Sequence, residues 1–304
     1  METEQAAEVV RQQFPDVCPV RVSYLGEGCD SWAFDVDGRW VFRFPKRVDV
    51  EQQLLLESRV LPVLAARSPL ALPDFCFLGR PSAEFARHFG GYPKIPGVPG
   101  IRVAARRGPL DRWARTLAEF LSWLHAVPVD EMTRLGVTRE PIAPRIEEAR
   151  ADALAEFECL NRAAPDAPLD AWFASLSEGP PGPAPRSSTP VVAHRDLAAE
   201  HVLCDPASRR LTGVIDWSEI AISDGLVDFA GVFHWGGDPF VDAVLASYDG
   251  PLDRDGLRHA RFLAACRGVA DVAFGLDTSR REYVEAGVRA LTLCLPPTWS
   301  PRRF

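Results

Sequence analysis

The spacing of hydrophobic positions changes from helical to alternating and back within the first third of the chain. Residues 3–14 and Val50–Ala66 carry apolar side chains at helical spacing. The dipeptide Asp37-Gly38 is typical of a tight hairpin turn. Three short runs rich in β-branched and aromatic residues lie between the helical stretches: Val20–Leu25, Ser31–Val36 and Arg39–Phe44. This pattern predicts a small antiparallel sheet with one helix.

Later in the chain the pattern is mainly helical. Leu110–Ala126 carries one apolar stripe, and further helical patterns cover residues 141–176, 239–249 and 256–295. Gly179–Pro190 is rich in proline, glycine and serine, and this composition predicts a loop.

The stretch 92–100 separates the two patterns. It contains three prolines and two glycines, which is typical of a stiff linker. We therefore predict an α+β protein with two lobes. The N-terminal lobe, 1–91, contains the antiparallel sheet and its helix, the hinge linker is 92–100, and the mostly helical C-terminal lobe is 101–304. A cleft between such lobes is a common place for a ligand.

The composition narrows the class of protein. The chain has 304 residues, of which 47% are hydrophobic, so it can bury a large core. Its formal charge of −8 argues against a nucleic-acid binder, because that role needs a basic face. The acidic excess suits a cationic substrate, and it suits simple solubility equally well.

Cysteine usage and the start of the chain predict a location. Seven scattered cysteines without a CxxC pair indicate reduced thiols instead of disulfides or a zinc site. No apolar run reaches the roughly 18 residues that span a bilayer. The acidic segment after Met1 lacks the features of a signal peptide. We expect a cytoplasmic monomer that acts without a membrane or nucleic-acid partner.

The segment His194-Arg195-Asp196-Leu197-Ala198-Ala199-Glu200-His201 carries the strongest chemical signal. Asp196 follows an apolar run, and Asp216 ends a second strand-like run further on. Phosphoryl transfer needs a carboxylate that orients or deprotonates the attacking hydroxyl, together with metal ligands that neutralise the phosphates. Asp196, His201 five residues later and Asp216 match the spacing of the kinase catalytic loop, H-R-D-x-x-x-x-N, and its downstream metal-binding Asp.

Together with Leu25-Gly26-Glu27-Gly28, Trp40–Pro45, Gly91–Gly97 and Leu124-His125, this block resembles the bacterial aminoglycoside and macrolide phosphotransferases. The closest resemblance is to the aminoglycoside 2″-phosphotransferase branch, in which the second metal-ligand position can be His instead of Asn.

The resemblance implies a two-lobed protein-kinase-like fold and transfer of the γ-phosphoryl group of ATP or GTP to an aminoglycoside hydroxyl. It implies that Asp196 is the catalytic residue and that His201 and Asp216 hold Mg²⁺. Because Mg²⁺ prefers oxygen ligands, His201 would bind through water or hold one weak metal.

The same resemblance implies a nucleotide site. Arg43 stands where protein kinases have a strand Lys, and Glu57 would be its helix partner. Lys46 competes for this role, and a strand Arg with a helix Glu can also be a purely structural ion pair. Gly28 and Ser31 would contact phosphates in the loop between the first two strands. In the hinge, the C=O of Pro93 and the N–H of Ile95 would bind the purine, since Pro93 cannot donate.

The acceptor site is less defined by the sequence. Glu219, Trp235 and Asp238 are candidate substrate residues, with core packing as the stronger reading of Trp235. Only Asp238 stands where the aminoglycoside enzymes tend to carry several carboxylates, so a macrolide 2′-phosphotransferase or another small-metabolite kinase stays open. A non-catalytic kinase-like binding protein is a further alternative. A protein kinase is disfavoured because the D-F-G and A-P-E motifs are absent.

Overall fold

A computed structural model describes residues 1–19, 21–27, 30–103, 107–182 and 189–295. Its N-terminal part is built on a five-stranded antiparallel sheet in the order β1-β2-β3-β5-β4. The elements of this lobe are α1 Thr3–Gln13, β1 Val22–Glu27, β2 Ser31–Val36, β3 Trp40–Pro45, α2 Val48–Ala65, β4 Phe77–Gly79 and β5 Phe89–Pro93. The predicted α+β class and N-terminal sheet are confirmed, although two helices accompany the sheet.

The alternation of side chains along β3 determines what each face of the sheet contacts. Phe42 and Phe44 are buried in a cluster with Ala6, Val9 and Val10 of α1. The neighbouring positions, Val41 and Arg43, face the other side, where α2 lies. Arg43 therefore points toward the space between the lobes.

The predicted hairpin turn is present between β2 and β3. Asp37 and Gly38 have φ values of 58° and 68°, as a turn with two left-handed residues requires. Asp35 closes the turn by accepting the N–H of Gly38 at 2.6 Å. The turn fixes the register that pairs Ala33 with Arg43.

The C-terminal lobe contains eight α-helices among the described residues, with four short strands beside the strand that enters from the hinge. The helices are α3 Arg107–His125, α4 Val129–Leu135, α5 Ile142–Glu156, α6 Leu160–Ala163, α7 Leu169–Glu178, α8 Leu226–Leu245, α9 Leu257–Asp277 and α10 Arg281–Cys294. The strands are β6 Val98–Pro99, β7 Val191–Ala193, β8 Val202–Cys204, β9 Leu211–Val214 and β10 Ala221–Ser223. Three turns of 3₁₀ helix occur at Gly100–Arg102, Phe157–Cys159 and Arg254–Gly256.

Helix boundaries differ from the sequence pattern where a local break interrupts it. The helical stretch 141–176 is divided into α5, α6 and α7, and 256–295 is divided into α9 and α10. The pattern at 239–249 is only the second half of α8, which is kinked at Gly237 with a φ of 63°. Its first half was not predicted, because three glycines obscure its helical periodicity.

The end of the predicted hinge is part of a sheet. Val98 and Pro99 pair with Cys204 and Leu203, so β6, β8 and β9 form a three-stranded antiparallel sheet. Just beyond, the N–H of Ile101 donates to the carbonyl oxygen of Ala199 at 3.1 Å. The chain is therefore attached to the catalytic segment as soon as it enters the C-terminal lobe.

Within the described residues, no helix combines the length and the apolar character that crossing a membrane would require.

Helix α8 contacts the segment around Asp196 through a glycine. A Cβ atom on Gly231 would lie 1.5 Å from the carbonyl oxygen of Leu197, a backbone atom that cannot rotate away. The helix and the catalytic segment are therefore in direct backbone contact.

We predict that Gly231→Ala destabilises the protein, although helix propensity alone would favour Ala by about 1 kcal/mol. The clash with Leu197 should outweigh this gain and give a net loss of about 1–3 kcal/mol. Chemical denaturation measures the free energy of unfolding. Ala230→Gly, the reverse exchange one position earlier, should cost about 1 kcal/mol by propensity alone. A Gly231→Ala variant more stable than the wild type would contradict the contact.

Candidate active site

The segment between β7 and β8 is held in place from behind by Asp228 of α8. One carboxylate oxygen of Asp228 accepts the N–H of Arg195 at 2.7 Å, and the other accepts the N–H of His194 at 3.1 Å. His125 Nε2 lies 3.0 Å from the second oxygen, and its Nδ1 lies 2.6 Å from the Tyr248 hydroxyl. Asp228 and the His125 side chain are fully buried. Asp228 thus braces the backbone at His194 and Arg195.

The pKa of Asp228 follows from this environment. Burial would raise the pKa, but the hydrogen bond from His125 and the backbone amide of Arg195 lower it below its ordinary value. The carboxylate is therefore ionised in the folded protein. Its hydrogen bond with the Arg195 N–H also offsets the energetic cost of the left-handed backbone conformation at Arg195, where φ is 67°.

His194 connects the catalytic segment to the next strand. Its Nε2 lies 3.1 Å from the carbonyl oxygen of Ile215, so this nitrogen carries the hydrogen. Its Nδ1 accepts the N–H of Asp196 at 3.2 Å. Burial lowers the pKa of His194, which keeps the ring neutral. With both nitrogens engaged, His194 is a structural residue and not a base.

Asp196 faces an arginine that the sequence did not reveal. Arg267 of α9 donates to Asp196 with one nitrogen and to Glu200 Oε1 with the other, the latter at 2.6 Å. Burial would raise the pKa of Asp196, but Arg267 and His201 hold it well below its usual range. The Asp196 carboxylate is therefore ionised in the folded protein. Arg267 lies inside a long helical pattern, and nothing in its spacing distinguishes it from a surface arginine.

His201 joins the two carboxylates of the motif. Its Nδ1 lies 2.6 Å from the backbone oxygen of Asp196, and its Nε2 lies 3.5 Å from Oδ2 of Asp216. Burial would lower the pKa of His201, but Asp196 and Asp216 raise it above its ordinary value. The structure thus brings Asp196, His201 and Asp216 together, as the resemblance implies.

Asp216 lies at the opening between the lobes. Its side chain is 43% exposed, and Oδ1 lies 3.8 Å from an Arg43 nitrogen. Its φ of 63° is left-handed, an uncommon conformation that is concentrated at functional sites. An exposed carboxylate in this position can contact both a solvated cation and phosphates.

Arg43 and Glu57 form the predicted ion pair. Arg43 donates to Glu57 Oε2 at 2.6 Å, and the two side chains are 11% and 1% exposed. Burial raises the pKa of Glu57, while the charge of Arg43 opposes that rise. The pair places the guanidinium between α2 and Asp216, and its contact with a nucleotide stays a prediction.

Of the other predicted nucleotide residues, Gly28 lies outside the described residues. Ser31 begins β2, and its hydroxyl is buried without a hydrogen-bond partner. Pro93 ends β5 and is exposed, and Ile95 follows it with a buried side chain that contacts Gly213.

A cavity of about 370 Å³ opens beside Asp196, on the side away from Arg43. Helices α5, α8 and α9 form its walls. Its charged lining residues are Arg145, Glu148, Asp152, Arg195, Asp196, Arg267 and Asp271, with Leu197, Leu263 and Phe274 among the apolar ones. Arg43, His201 and Asp216 are not part of this lining, and Asp196 borders both the cavity and His201.

The three predicted substrate residues lie elsewhere. Glu219 is 3.4 Å from Arg145 and 3.9 Å from Arg195, close to the cavity but not in its lining. Trp235 is buried in the core, with its ring 5.1 Å from that of Trp113. Asp238 is paired with Arg261 of α9. Trp235 therefore has the core position that was its stronger reading.

We predict that Asp228→Asn lowers both stability and turnover. The amide cannot accept from two backbone N–H groups and a histidine as a carboxylate does, so the loss should be about 1.5–3 kcal/mol. Since the pKa of Asp228 is lowered on folding, the wild-type advantage exists above about pH 3.9, the ordinary Asp pKa, and disappears as pH falls further. Chemical denaturation at pH 7 and pH 3 measures the free energy of unfolding at each pH, and an activity assay measures turnover. Asp242→Asn, an exposed change on the same helix, should stay within about 0.5 kcal/mol.

A second prediction separates the structural and functional roles of Arg43. Arg43→Met leaves the Glu57 carboxylate buried and unpaired and should cost about 3–5 kcal/mol. The double variant Arg43→Met/Glu57→Leu removes both charges and should recover most of that stability. Nucleotide affinity should remain low in both variants, measured by fluorescence titration. If the double variant binds nucleotide as the wild type does, Arg43 is a structural residue only.

Comparison with known proteins places this geometry in a family. A model of the phosphotransferase enzyme family, APH, matches residues 22–297. The protein YcbJ of Bacillus subtilis (strain 168) is 25% identical over 267 residues, 83% of this chain and 82% of YcbJ.

Solved structures agree over the whole fold. The GDP and kanamycin complex of APH(2")-IIia has a TM-score of 0.71 and 26% identity, covering 97% of this chain and 99% of that one. A macrolide 2'-phosphotransferase type I has a TM-score of 0.61 and 25% identity, covering 95% and 96%. The kinase-like fold implied by the resemblance is thus confirmed, and the chain belongs to the phosphotransferase enzyme family.

Proposed function

We propose that this enzyme transfers the γ-phosphoryl group of ATP or GTP to a hydroxyl group of a small molecule, with Mg²⁺ as cofactor. The observation that carries the proposal is the position of Asp196. It lines the cavity between α5, α8 and α9, and it also contacts His201, which is followed by Asp216 and Arg43. An acceptor hydroxyl in the cavity would meet a nucleotide phosphate at this carboxylate.

The residues suggest how the step proceeds. The acceptor oxygen forms a bond to the γ-phosphorus while the bond between that phosphorus and the β–γ bridging oxygen breaks. The hydroxyl donates a hydrogen bond to Asp196, which orients it and takes its proton as the new bond forms. Arg267 and His201 lower the pKa of Asp196, so its carboxylate is a weak base. It therefore mainly orients the hydroxyl group until bond formation to phosphorus has withdrawn electron density from the hydroxyl oxygen.

The residues present fit a magnesium ion that is held mostly by other ligands. The described residues contain no group of three His, Cys, Asp or Glu side chains that could hold a metal alone. Mg²⁺ commonly binds through one or two carboxylates, waters and substrate phosphates. The half-exposed Asp216 supplies such a carboxylate, and His201 would contact a metal-bound water. The ion would neutralise charge on the transferring phosphates.

Aminoglycosides are the first acceptor class to test, and macrolides are the second. Both classes are implied by the sequence resemblance, and the structural neighbours include a kanamycin complex and a macrolide 2'-phosphotransferase. Turnover of ATP and GTP with Mg²⁺ should be measured with kanamycin, a macrolide and simple hydroxyl compounds as acceptors. Product detection by mass spectrometry distinguishes phosphorylation from hydrolysis. Nucleotide binding without turnover on any acceptor would favour a non-catalytic binding protein.

We predict opposite behaviour for the two carboxylates of the site. Asp196→Asn should lower kcat about 10²- to 10⁴-fold, the usual range for a lost general base, and should leave Mg²⁺-dependent nucleotide binding unchanged. Asp216→Asn should weaken that binding itself. The rate of nucleotide hydrolysis without an acceptor measures the effect on kcat, and nucleotide titration measures the effect on binding. Asp196→Asn with near-normal turnover would remove Asp196 from the mechanism.

A further inference from the structure

The arginines of the cavity differ in how their charges are balanced. Arg267 is bound closely by Asp196 and Glu200, and these carboxylates raise its pKa. Within the part of the chain that the structure describes, Arg145 and Arg195 share a single ion-pair partner, Glu219, at 3.4 and 3.9 Å. Both separations are long for a charge-assisted hydrogen bond, which is typically about 2.7–2.9 Å. Two positive charges thus face one loosely placed negative charge.

Arg145 and Arg195 lie next to each other and are largely removed from solvent. Their side chains are 29% and 12% exposed, while Glu219 is 37% exposed. Arg145 donates to the backbone oxygen of Arg195 at 3.0 Å, and the Nε of Arg195 is buried without a hydrogen-bond partner. Burial and the neighbouring Arg145 lower the pKa of Arg195 below its ordinary value. The charge excess is thus unfavourable in the protein without a ligand.

The remaining carboxylates around the cavity do not remove this excess. Glu148 and Asp152 line the cavity from α5, but both are exposed to solvent. Asp271 lies 2.9 Å from His234, and its charge acts on Arg267. Glu140 and Asp228 attract Arg195 more weakly than Glu219 does, and Asp228 already binds His125 and the backbone.

We propose that Arg145 and Arg195 form an anion-binding subsite, and that the acceptor therefore carries a carboxylate or phosphate group near its reacting hydroxyl. This inference rests on the proposed phosphotransferase function. The two oxygens of an anionic group would accept hydrogen bonds from the planar guanidinium groups, as the oxygens of carboxylates and phosphates commonly do. The nucleotide's own phosphates do not account for the pair, since Arg43, His201 and Asp216 lie outside this cavity.

The proposal has a direct consequence for the substrate class. A polycation such as an aminoglycoside would bring further positive charge to two uncompensated guanidinium groups. A small sugar acid, hydroxy acid or sugar phosphate would instead supply the missing negative charge, and the cavity of about 370 Å³ is large enough for one.

Binding calorimetry with a matched set of sugars tests the proposal. The probes are D-glucose, D-glucosamine, D-glucuronate and D-glucose 6-phosphate, titrated into the full-length protein saturated with Mg²⁺ and a non-hydrolysable nucleotide. We expect glucuronate or glucose 6-phosphate to bind at least about tenfold more tightly than glucose and glucosamine, which corresponds to about 1.4 kcal/mol. The two anions distinguish a carboxylate from a phosphate subsite. Equal affinities, tighter binding of glucosamine, or no detectable binding of either anion would overturn the proposal.

Variants of Arg145 make the test specific for the subsite. Arg145→Ala should abolish the preference for the anions, and Arg145→Lys should keep part of it because it keeps the charge. Arg150→Ala is the matched control, since Arg150 lies on the same helix, pairs with the exposed Glu147 and does not line the cavity. An anion preference that survives in Arg145→Ala would also overturn the proposal.

Nucleotide binding distinguishes a failure of this inference from a failure of the proposed function. Mg²⁺-dependent nucleotide binding and slow hydrolysis depend on Asp216 and Asp196, not on Arg145. If they are present while the anions show no preference, the subsite is wrong and the kinase function stands. If they are absent in the wild type, the proposed function itself is wrong.

Discussion

The buried carboxylate of Asp228 is the interaction on which the active site depends. It accepts hydrogen bonds from two consecutive backbone amides and faces a histidine, and so it fixes the path of the chain from His194 to Asp196. The backbone contact between Gly231 and Leu197 holds the same segment from the same helix. Since these contacts are made to the backbone of the segment, they do not use the side chains of Asp196 and His201. Bracing by the backbone leaves the side chains available for chemistry.

A chain of alternating charges extends from the N-terminal lobe into the C-terminal lobe. Glu57, Arg43, Asp216, His201 and Asp196 follow one another, and Arg267 and Glu200 complete the series. Each charge in the series lies next to a charge of opposite sign, and Arg267 and His201 together hold the pKa of Asp196 below its usual range. Asp216 is the most exposed of the carboxylates in the series. Arg145 and Arg195 lie outside the series, and the ion-pair partner that they share among the described residues, Glu219, is at 3.4 and 3.9 Å.

Much of the fold and of the reactive centre could be predicted from the sequence. The hairpin at Asp37-Gly38 and the spacing from Asp196 to His201 depend on local rules, and the sequence carries such information directly. The ion pair of Arg43 with Glu57, which the resemblance implied, is also present.

The parts that could not be predicted depend on contacts between distant segments. Arg267 reaches Asp196 from 71 positions away, and Arg145 reaches Glu219 from 74. No periodicity marks either residue. The same limit explains why Trp235 and Asp238 lie away from the cavity, since helix α8 presents them to the core and to Arg261.

Val98 and Pro99 pair with β8, and the bond from Ile101 to Ala199 attaches the chain to the catalytic segment. A second attachment lies at Ala71, whose N–H donates to the carbonyl oxygen of Thr212 and whose own carbonyl oxygen accepts the N–H of Val214 on β9. The N-terminal lobe is thus bonded to the three-stranded sheet two residues before Asp216 as well as through the linker. A rotation that moved Arg43 away from Asp216 would strain both attachments. The position of Arg43 relative to Asp216 is therefore set by the same sheet that holds the catalytic segment.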